Sequence, residues 1–254
     1  MKFISRLPLK LLGHIVFLLF FLNAWEFASR YEWLNPTFFG RPSGIVIYIF
    51  KGLFISRDLW LDLSYTVAGT LISFFLGSTS AICVGLAFAM FPKLEKASEP
   101  YFMVLNAMPR LALAPLFLLW FGLGIWSKVA VGTSLSFFIV LASTVAGIRG
   151  VSADHVTLAR ALGASSYQLF FQVTLPSAVP VIASGLRLGL IFSMLGVIGS
   201  EIIAAEHGLG QVLAYLQSTF NMNGVMGVTL LLAFFGMTLT VAMAKLERIF
   251  LKWQ

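Results

Sequence analysis

The amino-acid sequence predicts an all-α integral membrane protein of about six transmembrane helices, with a loop of short helices between spans 4 and 5. Two observations carry this prediction. Of 254 residues, 59% are hydrophobic and only 11% charged, whereas a soluble domain carries roughly a quarter charged residues on its surface. The mean hydropathy of +0.94 places these apolar residues against lipid. They also gather into stretches that reach the roughly 20 residues a bilayer crossing needs.

The first span is predicted over 11–29, behind the basic start Met1-Lys2-Phe3-Ile4-Ser5-Arg6. Its apolar run from Leu11 to Trp25 has the length of a signal peptide. However, Trp25, Glu26 and Phe27 stand where a cleavage site wants small residues, so an uncleaved span is expected. Segment 30–62 carries Pro36, Gly40, Pro42 and Gly44, then an apolar and aromatic stretch from Ile45 to Trp60. This pattern predicts a partly amphipathic helix along the outer interface.

The second span lies within 64–91, in the uncharged stretch from Leu63 to Pro92, where Gly69, Gly77 and Gly85 allow close helix contact. The third, over 99–120, holds Arg110 between Pro109 and Pro115, and two prolines in one span predict a kink. The fourth covers 128–148, the fifth 185–205 with Glu201 inside it, and the sixth 224–244. The chain thus divides into an N-terminal span with its outer segment, 1–62, and a five-span core, 63–254, which includes loop 149–184.

The stretch from Ala161 to Leu186 also lacks charge, but it contains Gly163, Pro176 and Pro180. Two prolines four residues apart are expected to break a helix, leaving backbone groups that lipid cannot satisfy. It is therefore predicted as short helices and turns at the cytoplasmic surface. Base counting agrees. Ten bases fall inside (Lys2, Arg6, Lys10, Lys93, Lys96, Arg149, Arg160, Lys245, Arg248, Lys252) and five outside (Arg30, Arg41, Lys51, Arg57, Lys128), with both termini cytoplasmic.

Several function classes are excluded. The net charge of +7 could suggest nucleic acid, but the bases stand singly between apolar runs and form no stripe. The single cysteine, Cys83, excludes a disulfide framework. His14, His155 and His207 have no ligand spacing, so no metal site is expected. No Gly-x-x-x-x-Gly-Lys loop is present to cradle ATP, and no nucleophile motif has an evident partner. Arg110, Glu201 and Arg187 are ionisable groups in or at the edge of spans, where a charge is costly and usually faces the protein interior. Arg110 and Glu201 either pair as a structural tether or line a path, with Arg110 offering positive potential to an anion. Arg187 is expected to snorkel to the interface.

Residues 152–186 read as a helix, a turn and a second helix. Ser152 or Asp154 can cap the first helix, Gly163 suits its left-handed end, Ser165 or Ser166 can cap the second, and Pro176 is expected to stop it. On residues alone this is either a hairpin joining two spans or a docking element for a partner.

At this point the chain resembles the ATP-binding-cassette importer permeases of the binding-protein-dependent type. Their loop spacing runs Glu-Ala-Ala, three residues, Gly, nine residues, Ile, one residue, Leu-Pro. This sequence has Thr157, Leu158 and Ala159, then Gly163, then Val173, Leu175 and Pro176 at that spacing. Thr157 stands where the family has glutamate and supplies no negative charge. Segments Met108–Leu116, Trp120–Gly124, Ala146–Val151 and Glu201–Gly210 resemble the nitrate, sulfonate and taurine branch.

The resemblance implies a permease working as a pair with a second permease subunit, a homodimer, in the bacterial inner membrane. Two ATPase subunits would dock on the coupling loop and a periplasmic binding protein would deliver the solute. No cofactor is expected in this chain, with ATP and Mg bound by the partner ATPases. The implied solute is an aliphatic sulfonate, taurine or nitrate. The alternatives are a thiamine precursor, or an ATP-independent carrier or channel.

Overall fold

The computed structural model describes residues 7–250. Lys2, Arg6 and Lys252 of the base count lie outside them. Among the described residues every regular element is helical. Five helices are long and apolar enough to cross a membrane, and a sixth is made if one bent pair counts as a span. The described residues form two compact units, 7–61 with 212–233, and 62–211 with 234–250.

In the first unit, α1 (Leu7–Arg30) presents exposed apolar residues such as Phe17 and Phe20. Asn35 caps the single turn α2 (Pro36–Phe39) through Thr37 N. The expected helix in the outer segment is α3 (Pro42–Phe50), extended by a wide π-type turn over Lys51–Ile55. Polar groups fix its start. Ser43 donates through its backbone N and its hydroxyl to the Glu26 carboxylate, and Arg41 N donates to Asn223 Oδ1 at 2.8 Å.

The second unit holds most of α4 (Asp58–Met90), then α5 (Pro92–Ala107), a 3-10 turn (Arg110–Leu113), α6 (Ala114–Phe121) and α7 (Ile125–Arg149). It continues through α8 (Ala153–Ala161), α9 (Ser166–Gln168) and α10 (Leu175–Ile203) to the start of α11 (Leu209–Ser218) and the end of α12 (Met222–Phe250). α7 and α10 pack most intimately. A Cβ on Gly196 would lie 2.8 Å from Gly132 Cα, so the two backbones touch. Ala81, Phe88, Val140 and Leu141 form an apolar core between α4 and α7. Buried hydroxyls add no unpaired cost where they bond to nearby carbonyls, as Thr70 does to Thr66 O and Thr144 to Val140 O.

The structure corrects the expected stop at Pro176. Helix runs without interruption from Ser166 to Ile203, 38 residues, through both Pro176 and Pro180. The reason lies in the turn just before the first proline. Residues Leu169–Thr174 form a π-type turn in which Leu175 N donates five residues back, to Phe170 O. Widening the turn moves the carbonyl that a proline ring would otherwise strike. From Ser166 onward the stretch is thus the extension of the fifth span, while 162–165 form the expected turn.

Arg187 is also corrected. It is ion-paired to Glu247 on α12 instead of snorkelling alone.

Candidate docking hairpin and translocation path

The hairpin between α7 and α10 is built from local chemistry. The Ser152 hydroxyl accepts from Asp154 N and caps α8. At the other end Gly163 has φ +85°. Gly163 N donates to Arg160 O at 2.9 Å and Ala164 N to Ala159 O at 3.0 Å, the paired bonds that close a helix on a left-handed glycine. Ser165 and Gln168 then cap α9 reciprocally, each side chain bonding the other's backbone N–H.

The predicted docking residues separate into two groups. Thr157, Leu158 and Gly163 are exposed and Ala159 is half-buried, on or just after α8, whereas Val173, Leu175 and Pro176 are half-buried where the long helix begins. Thr157 Oγ1 donates to Ala153 O along its own helix at 2.8 Å. Leu158, Leu162 and Tyr167 are 60%, 80% and 71% exposed, apolar side chains at the hairpin, the first two at the end of α8 and Tyr167 in the first turn of the long helix.

The third span is broken. α5 ends at Ala107, and the Arg110–Phe121 segment leaves at 81°. Met108 and Pro109 are extended, which removes partners from the last carbonyls of α5. Arg110 supplies them, its guanidinium donating to Asn106 O at 3.2 Å and Asn106 Oδ1 at 2.7 Å. It also lies 4.2 Å over the Phe138 ring. Nearly all of α5 is exposed, including Glu99 and Asn106.

Arg110 and Glu201 are not brought together. The partner of Glu201 is Lys128, in the first turn of α7, at 2.7 Å and buried with it. Thr66 donates to the same carboxylate at 2.9 Å and Gly210 N at 3.0 Å. Lys128 also donates to His207 O at 2.6 Å, and Asp62 accepts from Gly208 N at 2.8 Å. The segment between α10 and α11 is thereby tied to α4 and α7. Lys128 is therefore not the solvated outer base of the charge count. The missed signal was its position at a predicted span boundary, next to an uncharged run.

Over residues 73–253 the sequence matches the family described as binding-protein-dependent transport system inner membrane component. The chain belongs to that family. Among relatives of this permease, the formylaminopyrimidine transport permease protein ThiX of Halalkalibacterium halodurans is 30% identical over 240 residues, 94% of each chain. The putative aliphatic sulfonates transport permease protein SsuC of Escherichia coli is 31% identical over 229 residues, 90% of the permease and 87% of its own length. The sulfonate branch to which the motifs point is thus among its relatives. An inward-facing form of the methionine transporter MetNI matches with a TM-score of 0.65 at 20% identity, over 76% of the permease and 98% of that chain, which shows the fold. The matched family range contains the broken span, the hairpin and Glu201.

Proposed function

We propose that this permease works as one of a pair, in the bacterial inner membrane with both termini cytoplasmic, and imports a small solute at the expense of ATP hydrolysed by partner subunits. Two ATPases dock on the hairpins, and ATP and Mg are held there and not in this chain. A periplasmic binding protein presents the solute on the outer side. The observation that carries this reading is the exposure of the apolar side chains Leu158, Leu162 and Tyr167 at a hairpin held rigid by two caps and a glycine turn. A partner that covers them would bury apolar area, and rigidity lets movement of the partner reach α7 and α10.

The broken span α5–α6 forms the path wall. Charged side chains at membrane depth are tolerated where they line a water-filled cavity, and α5 exposes Glu99. Two solute classes stand behind the relatives' names. The name of SsuC supports the sulfonate-like anion that the motifs imply, and the name of ThiX supports a pyrimidine. The test is co-purification of the ATPase with wild type and with Leu162→Asp, alongside ATP-driven uptake in proteoliposomes. Retained ATPase and full uptake in the variant would remove the hairpin from the mechanism.

A further inference from the structure

A cavity of about 340 Å³ lies between α5, α7 and Phe88 of α4. Its α5 wall is one helical stripe. Glu95, Glu99, Phe102 and Asn106 follow at intervals of four, three and four residues, so they share a face. The opposite wall includes Phe138 and Arg149 of α7. The charges do not cancel. Arg149 is paired with Glu95 at 2.5 Å, but Glu99 has no ion pair or hydrogen bond among the described residues. The lining residues include one cation, Arg149; Arg110, over the Phe138 ring, directs its hydrogen bonds at the end of α5, onto Leu105 O, Asn106 O and Asn106 Oδ1. That last bond uses the amide oxygen of Asn106 and leaves its Nδ2 protons free to donate.

Resting on the reading of α5 as the path wall, we propose that this cavity is a solute site for an amino-substituted aromatic heterocycle, neutral or cationic, and not for a free sulfonate. Each feature matches one part of such a molecule. Phe102 and Phe138 line the cavity and offer ring edges to a flat ring, one face of Phe138 being covered by Arg110. The free Glu99 carboxylate accepts from an exocyclic amino group, and a charge-assisted bond of this kind is strong. Asn106 Nδ2 donates to a ring nitrogen. A sulfonate would meet the unpaired Glu99 carboxylate on the same face, and like charges repel. Few polar groups among aromatic walls is the usual make-up of a site for a small organic molecule.

The experiment uses the full chain in inside-out membrane vesicles, with Met103→Cys placed in a Cys83→Ser background. Met103 lines the cavity and is 67% exposed, and Cys83 is the only native cysteine. A charged, membrane-impermeant thiosulfonate reagent should modify Met103→Cys. The probe 4-amino-2-methylpyrimidine, at roughly ten times its Kd, should slow that modification about tenfold by occupancy, and methanesulfonate should not. Glu99→Gln should abolish the protection. If Met103→Cys is not modified while a Leu162→Cys control is, the path reading itself fails. If Met103→Cys is modified but protected only by methanesulfonate, or by neither probe, the path stands and the heterocycle proposal is overturned. Protection that survives Glu99→Gln overturns the role given to the carboxylate.

Discussion

Lys128 and Glu201 form an ion pair at 2.7 Å with side chains 2% and 0% exposed, joining the first turn of α7 to the last turn of α10. An ion pair this deeply buried is costly to desolvate, and it persists because Thr66, Gly210 N and His207 O satisfy the remaining valences.

Removing one partner should therefore hurt more than removing both. Lys128→Met leaves a buried carboxylate and should destabilise the permease by about 3–5 kcal/mol. The double variant Lys128→Met/Glu201→Gln should recover much of that loss. Thermal unfolding of detergent-solubilised protein for both single variants and the double gives the coupling energy directly. Additive losses would show that the pair is not a unit.

Gly163 offers a test of the hairpin that leaves the spans alone. Its φ of +85° disfavours any side chain, while a Cβ there would meet nothing within 4 Å. Gly163→Val should cost about 1–2 kcal/mol through the backbone alone. Membrane insertion should be normal, with ATPase co-purification and uptake lost. Gly163→Asn, which tolerates the left-handed region, should retain much of both.

Arg110→Gln separates two roles. The guanidinium bonds the carbonyl end of α5, and hydrogen bonds to a charged group contribute about 1.5–3 kcal/mol. The variant should lower the melting temperature and the amount of protein in the membrane. Normal melting with reduced uptake of an anion would instead give Arg110 a role in contacting solute.

The orientation is open to a direct check. A reporter active only in the periplasm, fused after Gln254, should give no signal, because the bases of α12, Lys245 and Arg248, are placed inside. A strong signal would reverse the orientation.

The span pattern was legible because hydropathy is a property of consecutive residues. All six predicted spans lie on helix, the third on the broken pair α5–α6. The hairpin was legible for a similar reason. Caps at Ser152 and Ser165 and the turn at Gly163 depend on neighbours within a few positions. Pro109 announced a kink, though not one of 81°.

Other features depended on the tertiary structure. Whether Pro176 ends a helix turns on the hydrogen-bond register of the preceding turn, and a single π-type turn let the helix continue. The partner of Glu201 depends on which faces of α4, α7 and α10 meet. Arg110, Arg187 and Lys128 were all available by composition, and packing selected Lys128. The sequence by itself determined how many times the chain can cross a bilayer and where its short hairpin turns, since both follow from local chemistry. Only the tertiary structure decided which buried charges neutralise each other and which carboxylate, Glu99, is left facing a cavity, because a charge chooses its partner through space and not along the chain.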